Sequence, residues 1–140
     1  MARDAVLQDP RFRLGRGSAG LGLFAETVFR PGARVVEYGG ERITTEEADR
    51  RGGRYLFAVD ARWVIDARDR DNLARYINHS CRPNCVARVV GRRIWIYATR
   101  RIEKGEELTY HYGKVYFETF IAPHGCRCPA CRKRDPGGAA

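Results

Sequence analysis

Short apolar runs recur along this chain and are separated by glycines and charged turn residues. Runs of this length, rich in valine, isoleucine and aromatic residues, are typical of β-strands. They predict strands at residues 33–38, 55–59, 63–66, 86–90, 94–98 and 107–110. Residues 60–62 and the pair Gly91-Arg92 predict tight turns, so the second and third strands, and then the fourth and fifth, should form hairpins.

Helix is a minor part of the prediction. Thr44 and Glu47 have the spacing of a capping box, which predicts a helix that continues to about Arg51 and stops at Gly52. One further helical turn is predicted at residues 72–76. The pattern as a whole therefore indicates a mainly β domain with many short strands and little helix.

Length and composition limit the class of protein. With 140 residues and 44% hydrophobic residues, the chain fits one globular domain. It contains no apolar run long enough for a membrane span, and its charged N-terminus does not resemble a secretory signal. We expect a cytoplasmic protein, or one that acts in a host nucleus if it is a delivered effector or comes from a virus or eukaryote. The oligomeric state is not indicated.

The charge balance is strongly basic. The chain has 26 Lys and Arg against 17 Asp and Glu, which gives a net charge of +9. Such a charge favours acidic partners, including chromatin or nucleic acid. The arginines are scattered rather than gathered in one block, so a basic solvated surface explains the charge equally well.

Cysteines provide the first sign of specific chemistry. The chain has five, an odd number, and three of them lie within six residues near the C-terminus: Cys126, Cys128 and Cys131. This clustering favours a metal site over a disulfide framework. A tetrahedral zinc site needs a fourth ligand, for which Cys81, Cys85 and His124 are candidates.

Three further segments carry candidate chemistry. Gly20 and Gly22 flank one residue, which would let the backbone approach a ligand closely. Asn78 and His79 lie inside the polar string 75–85. In the segment 105–113, Tyr110 and a second tyrosine two residues later would project to the same face of a strand. Taken singly, each motif is better explained by a turn or by a packed aromatic pair.

Together these segments resemble one family, the SET-domain protein-lysine methyltransferases, over residues 13–131. The matching motifs, in order, are G-L-G at 20–22, E-Y-G-G-E at 37–41, Y-L-F at 55–57, I-D-A at 65–67, N-H-S-C at 78–81 with P-N at 83–84, and G-E-E-L-T-Y at 105–110. The resemblance implies small curved sheets around a pseudoknot. It divides the chain into an N-terminal extension (1–12), a SET domain (13–113), a zinc-bound post-SET segment (114–132) and a flexible tail (133–140).

The resemblance also implies a set of site residues. Binding of S-adenosylmethionine is expected from Gly20, Leu21, Gly22, Tyr55, Asn78 and His79. Tyr112 matches the catalytic tyrosine, Tyr38 a second tyrosine of the lysine channel, and Tyr110 the position that limits the product to mono- or dimethyl-lysine. A structural zinc ion is expected on Cys81, Cys126, Cys128 and Cys131.

The implied function is methylation of a lysine side-chain amine in a protein or peptide substrate, such as a histone, with S-adenosylmethionine as the methyl donor. The alternative is a basic, zinc-containing module that binds nucleic acid or peptide without catalysis. The net charge and the cysteine cluster support that alternative.

Overall fold

A computed structural model of the chain describes residues 9–113, 121–126, 128, 130 and 131. Within these residues the strands are β1 (Phe12–Gly17), β2 (Gly20–Ala25), β3 (Arg34–Glu37), β4 (Glu41–Thr44), β5 (Leu56–Ala58), β6 (Trp63–Asp66), β7 (Asn78–His79), β8 (Cys85–Val90), β9 (Arg93–Ala98) and β10 (Thr109–Tyr110). The α-helix α1 covers Thr45–Arg51, and 3-10 turns cover Leu73–Tyr76 and Ala122–His124. The predicted tail, most of the predicted extension and much of the post-SET segment lie outside the described residues.

The strands form four small sheets, which confirms the predicted mainly β architecture. Both predicted hairpins are present, because β5 pairs with β6 and β8 with β9, each antiparallel. β3 joins the far edge of β9, and β4 joins the far edge of β6. The β1–β2 hairpin, β4 and the two-residue strand β7 were not among the predicted strands.

The smallest sheet joins two distant parts of the chain. β7 and β10 run parallel, with Asn78 opposite Thr109 and His79 opposite Tyr110. This pairing brings the polar string around Asn78 beside the tyrosine motif, although residues 80–108 separate them in sequence. The pseudoknot itself stays a prediction.

The main core lies beneath the β3–β9–β8 sheet. Along β9, Ile94 and Ile96 are fully buried, whereas Trp95 and Tyr97 point to the outer face and remain partly exposed. Further fully buried side chains come from other elements and close this core: Leu23, Val35, Ile77, Ile102 and Leu108. The segments that carry the candidate site residues are therefore attached to one apolar centre.

Helix α1 begins where the capping box predicted. The Thr44 hydroxyl accepts a hydrogen bond from the main-chain N–H of Glu47 at 3.1 Å. The Glu47 carboxylate does not complete the box but pairs with Arg51 at 2.8 Å, and Arg51 also reaches the buried Asp66 at 3.0 Å. These bonds hold the helix against β6. Among the residues described, no helix is long and apolar enough to cross a membrane.

Candidate functional site

A cavity of about 1250 Å³ opens beside the β1–β2 hairpin and the segment 75–79. Most residues singled out from the sequence contribute to its lining: Leu21, Tyr38, Tyr55, Asn78, His79, Tyr110, Tyr112, Cys126 and Cys128. Gly20 lines an adjoining groove formed by the hairpin turn itself. Tertiary folding thus gathers six separate segments of the sequence around one space.

One part of the lining is held by a glutamate. The two carboxylate oxygens of Glu107 accept hydrogen bonds from the main-chain N–H of Ser18 at 3.0 Å and from the side-chain amide of Asn78 at 2.8 Å. The same amide nitrogen donates to the carbonyl of Leu21 at 3.3 Å. We refer to Ser18, Leu21, Asn78 and Glu107 as the polar clamp. It fixes the orientation of the Asn78 amide, whose Oδ1 oxygen is then the group that can accept a bond from a ligand.

The polar clamp also explains why glycine is needed at position 22. A Cβ atom built on Gly22 would lie 2.6 Å from the carboxylate of Glu107 and 3.2 Å from the amide of Asn78. Gly22 therefore packs against the clamp. Gly20 is required for a different reason, because its φ of +99° lies in a region that other residues rarely adopt. Taken singly, the glycine pair predicts a turn, and the positive φ of Gly20 agrees with that interpretation.

A group of aromatic rings forms another part of the lining. The Tyr38 and Phe57 ring centroids are 5.2 Å apart, and those of Tyr110 and Tyr112 are 5.0 Å apart. Tyr38 and Tyr110 are buried, with exposed fractions of 4% and 6%. The Tyr112 hydroxyl donates a hydrogen bond to the carbonyl of Ile77. We call Tyr38, Phe57, Tyr110 and Tyr112 the tyrosine cluster; its packing sets where the phenol oxygens lie.

His79 is buried next to the tyrosine cluster. Its Nδ1 accepts the main-chain N–H of Tyr112 at 3.1 Å, and its Nε2 lies 3.5 Å from the sulfur of Cys81. Burial, together with the neighbouring ring of His111, lowers the pKa of His79 to about 4. The ring is therefore neutral at pH 7.

Four cysteine sulfurs meet beside the cavity. The sulfurs of Cys81, Cys126, Cys128 and Cys131 all lie within 4.8 Å of one another. Cys81 is 3.9 Å from Cys126 and 3.6 Å from Cys131. This four-cysteine cluster could hold one metal ion. Cys85 lies instead in the main core, and the side chain of His124 is outside the described residues.

Hydrogen bonds and burial act differently on the pKa values of Cys81, Cys126 and Cys128. Burial opposes ionisation of Cys128, but the main-chain N–H groups of Cys81 and Cys131, each 3.4 Å from its sulfur, outweigh burial and lower its pKa to about 6. Burial and neighbouring thiols raise the pKa of Cys81 and raise that of Cys126 to about 11. These hydrogen bonds favour the thiolate form of Cys128, and a bound cation would favour ionisation of the neighbouring thiols.

Two residues at the site, Arg75 and Glu107, were not predicted from the sequence. Arg75 lines the cavity, with its guanidinium 4.0 Å from the centre of the Tyr55 ring. Its Nε is buried and has no hydrogen-bond partner within the part of the chain described. The other residue is Glu107. Both lie inside the motifs, but only the fold reveals that Arg75 faces the cavity and that Glu107 reaches Ser18 and Asn78.

Comparison with known proteins gives a family match. A model of the SET domain matches residues 20–113. Similar proteins include the histone-lysine N-methyltransferase trithorax of Drosophila virilis, 43% identical over 126 residues, and an H3 lysine-4 specific histone-lysine N-methyltransferase of Schizosaccharomyces pombe, 44% identical over 125 residues. The histone-lysine N-methyltransferase set1 of Dictyostelium discoideum is 43% identical over 125 residues.

These relatives are much longer proteins. The matches cover 81%, 80% and 80% of this chain but only 3%, 14% and 8% of the three relatives, respectively. The similarity therefore concerns one domain of each relative.

Proposed function

The chain belongs to the SET-domain family, and from this premise we propose that it transfers a methyl group from S-adenosylmethionine to the side-chain amine of a lysine in a protein. The observation that carries the proposal is one cavity lined both by Leu21 and Asn78 of the polar clamp and by the tyrosine cluster. The first group suits the amino-acid part of the methyl donor. The second suits a lysine amine.

The polar groups along this cavity match a zwitterion. An ammonium group needs acceptors, which the Leu21 carbonyl and the Asn78 Oδ1 can supply. A carboxylate needs a cation, and Arg75 offers a guanidinium whose buried Nε has no protein partner among the described residues. A buried donor without a partner is costly, so a bound acceptor would stabilise this arrangement. When bound, S-adenosylmethionine supplies a methyl group on a sulfonium sulfur, which keeps the electron pair as the new N–C bond forms.

The tyrosine cluster would handle the lysine amine. A free lysine has a pKa near 10.4 and is charged at neutral pH. Burial among aromatic rings disfavours the ammonium form and lowers that pKa, so that a neutral amine becomes accessible. Because the Tyr112 hydroxyl donates to Ile77, its oxygen lone pairs can accept an N–H of the amine and orient the nitrogen.

Tyr110 would limit the extent of methylation. It is buried at 6% exposure, and its ring lies 5.0 Å from that of Tyr112. A phenol oxygen there leaves less room for an amine that already carries methyl groups. We therefore propose that the product is mono- or dimethyl-lysine.

Zinc fits the four-cysteine cluster. A tetrahedral zinc ion with Zn–S bonds of about 2.3 Å requires sulfurs roughly 3.8 Å apart. The distances of 3.6 and 3.9 Å agree with that requirement. Four thiolate ligands leave no open position, so the proposed role is structural. Elemental analysis of purified protein should give about one zinc per chain, and a Cys128→Ser variant should contain less.

Histone H3 is the first substrate to test. The name of the Schizosaccharomyces pombe relative specifies H3 lysine-4. Because this chain carries a net charge of +9, long-range attraction does not favour a basic tail, and selection must come from short-range contacts at the cavity.

The direct experiment combines the protein with isotopically labelled S-adenosylmethionine and an H3 tail peptide. A peptide with arginine in place of lysine-4 is the substrate control. The Tyr112→Phe variant is the enzyme control and should lower kcat/KM at least about 100-fold. Calorimetric titration with S-adenosylhomocysteine tests binding separately. If zinc-loaded protein binds neither the cofactor nor its product, the proposed function is wrong.

A further inference from the structure

The imidazole of His79 lies between two parts of the site that are distant in sequence. On one side its Nδ1 is 3.1 Å from the main-chain nitrogen of Tyr112. On the other side its Nε2 is 3.5 Å from the sulfur of Cys81, a member of the four-cysteine cluster. The ring is buried, with an exposed fraction of 7%. One side chain therefore touches both the backbone of the proposed catalytic tyrosine and the proposed metal site.

Hydrogen-bond chemistry gives each ring nitrogen a defined role. A main-chain N–H can only donate, so Nδ1 must present its lone pair to Tyr112. The ring proton is then on Nε2, which points its N–H toward the sulfur of Cys81. N–H bonds to thiolate ligands are a common way in which surrounding groups orient a metal site.

The neighbouring backbone strengthens this connection. The Tyr112 hydroxyl donates to the carbonyl of Ile77, two residues before His79. The main-chain N–H of Ser80 donates to the carbonyl of Tyr110 at 3.2 Å. Residues 77–81 therefore hold Tyr112 at its hydroxyl and, through the His79 ring, at its backbone, and they also supply one sulfur of the cluster.

We infer that His79 is a positioning residue that ties the Tyr112 main chain to the four-cysteine cluster, so that order in the cluster keeps the Tyr112 phenol in its reactive position. The inference rests on the proposed function for the role of Tyr112. It adds that metal occupancy acts on methyl transfer through this ring.

Two amide substitutions separate the two contacts of the ring. In His79→Asn the amide oxygen lies near the position of Nδ1, so the acceptor for Tyr112 is kept and the donor to Cys81 is lost. In His79→Gln the amide nitrogen lies near the position of Nε2, so the donor to Cys81 is kept and the acceptor is lost. Ser80→Ala is the matched control, because it also removes one side-chain hydrogen bond, but at the adjacent residue. There the Ser80 hydroxyl accepts the main-chain N–H of Arg82 at 3.0 Å.

Amide hydrogen exchange of Tyr112, followed by NMR, and release of zinc to a coloured chelator are the two readouts. We expect His79→Gln to speed exchange at Tyr112 about 10-fold and to lower kcat more than it changes the KM for the cofactor. We expect His79→Asn to release zinc several-fold faster, with a smaller change at Tyr112. Ser80→Ala should alter neither by more than about 2-fold.

Wild-type protein supplies a test that does not depend on folding of the variants. Removing zinc should speed exchange at Tyr112, while the amide of Ile96 in the core stays protected. Unchanged exchange at Tyr112 after zinc removal, or equal behaviour of the Asn and Gln variants in both readouts, would overturn the inference. Neither readout requires methyl transfer, so a protein that passes these tests and still methylates nothing would contradict the proposed function alone.

Discussion

The tyrosine cluster and the polar clamp line the same cavity but are held in different ways. Tyr38 and Tyr110 belong to the main hydrophobic core, and their rings are fixed by apolar packing. The polar clamp holds a hairpin turn at the surface, where Leu21 is 53% exposed, through one hydrogen bond to Glu107 and one to Asn78, and a third hydrogen bond joins these two side chains. The tyrosine cluster is therefore part of the hydrophobic core that stabilises the folded domain. The polar clamp lies outside that core and is held to it by a few directional hydrogen bonds.

This difference predicts how each region responds to substitution. Loss of a packed ring leaves a void in the core, so it should reduce the free energy of unfolding. Loss of a clamp bond frees a turn that the core does not need, so it should reduce cofactor affinity while the domain stays folded. We therefore expect substitutions in the tyrosine cluster to lower mainly the free energy of unfolding, and substitutions in the polar clamp to lower mainly the affinity for the cofactor.

The largest expected effect is on stability, from Tyr38→Ala. This change removes a buried ring that packs against Phe57, and we expect the free energy of unfolding to fall by about 3–5 kcal/mol. Urea unfolding followed by circular dichroism measures it. The control is Tyr97→Ala on the outer face of β9, which should cost about 1 kcal/mol. Equal losses for both variants would show that the cluster is not part of the core.

The next largest effect is expected from Gly22→Ala. The added methyl would collide with the Glu107 carboxylate, 2.6 Å away, and displace the clamp from Asn78. If overpacking of about 1–3 kcal/mol is relieved by displacing the clamp, the dissociation constant for S-adenosylhomocysteine should rise roughly 5- to 150-fold, which calorimetry would measure.

Gly15→Ala is the matched control for this hairpin. Its Cβ would meet the end of the flexible Arg13 side chain at 2.7 Å, which can move away, and the edge of the Phe24 ring at 3.3 Å, which needs a shift of only a few tenths of an ångström. We expect less than about a 3-fold change in affinity. If Gly15→Ala weakened binding as much as Gly22→Ala, the Glu107 contact would not be the reason for glycine at position 22.

A smaller effect is expected from Glu107→Gln. Glutamine has one acceptor oxygen and one amide nitrogen, so its nitrogen must face either the Ser18 N–H or the Asn78 amide, both of which are donors. Loss of one such bond should raise the cofactor dissociation constant about 10-fold. In the neighbouring control, Glu106→Gln, the carboxylate lost is one that pairs with Arg100, and affinity should hardly change. Similar affinities for the two variants would show that the Glu107 carboxylate does not contribute to cofactor binding.

The smallest effect on stability is expected from Tyr110→Phe. This variant keeps the buried ring and loses one oxygen, so the free energy of unfolding should change by less than about 1.5 kcal/mol. The extra space should instead allow further methylation, which mass spectrometry of the product peptide would detect. An unchanged distribution of mono-, di- and trimethyl products would contradict the proposed role of Tyr110.

Local features could be predicted from the sequence. The capping box before α1, the hairpins β5–β6 and β8–β9, and the helical turn Leu73–Tyr76 all depend on residues close together in the chain. Their signals are turn residues, cap residues and short apolar runs, which act over a few positions. The close grouping of Cys126, Cys128 and Cys131 is a signal of the same kind.

The remaining parts of the fold and site depend on contacts between distant segments. From its sequence alone, β4 looks like a polar connection, and only its antiparallel pairing with β6 identifies it as a strand. Cys81 joins the cluster, whereas Cys85 enters the core, and the spacing within the chain left both open. Glu107 acquires its role only because its carboxylate reaches Ser18 and Asn78.

By itself, the sequence determined the kinds of groups available to this site: tyrosines, an asparagine-histidine pair, closely spaced thiols and glycines that allow tight approach. Tertiary structure decided which of them meet. The parallel pairing of β7 with β10 brings Asn78 and His79 beside Thr109 and Tyr110, across the whole of residues 80–108. Local sequence carries no signal for such a contact, because its free energy comes from burial and hydrogen bonds that exist only after the chain has closed that loop.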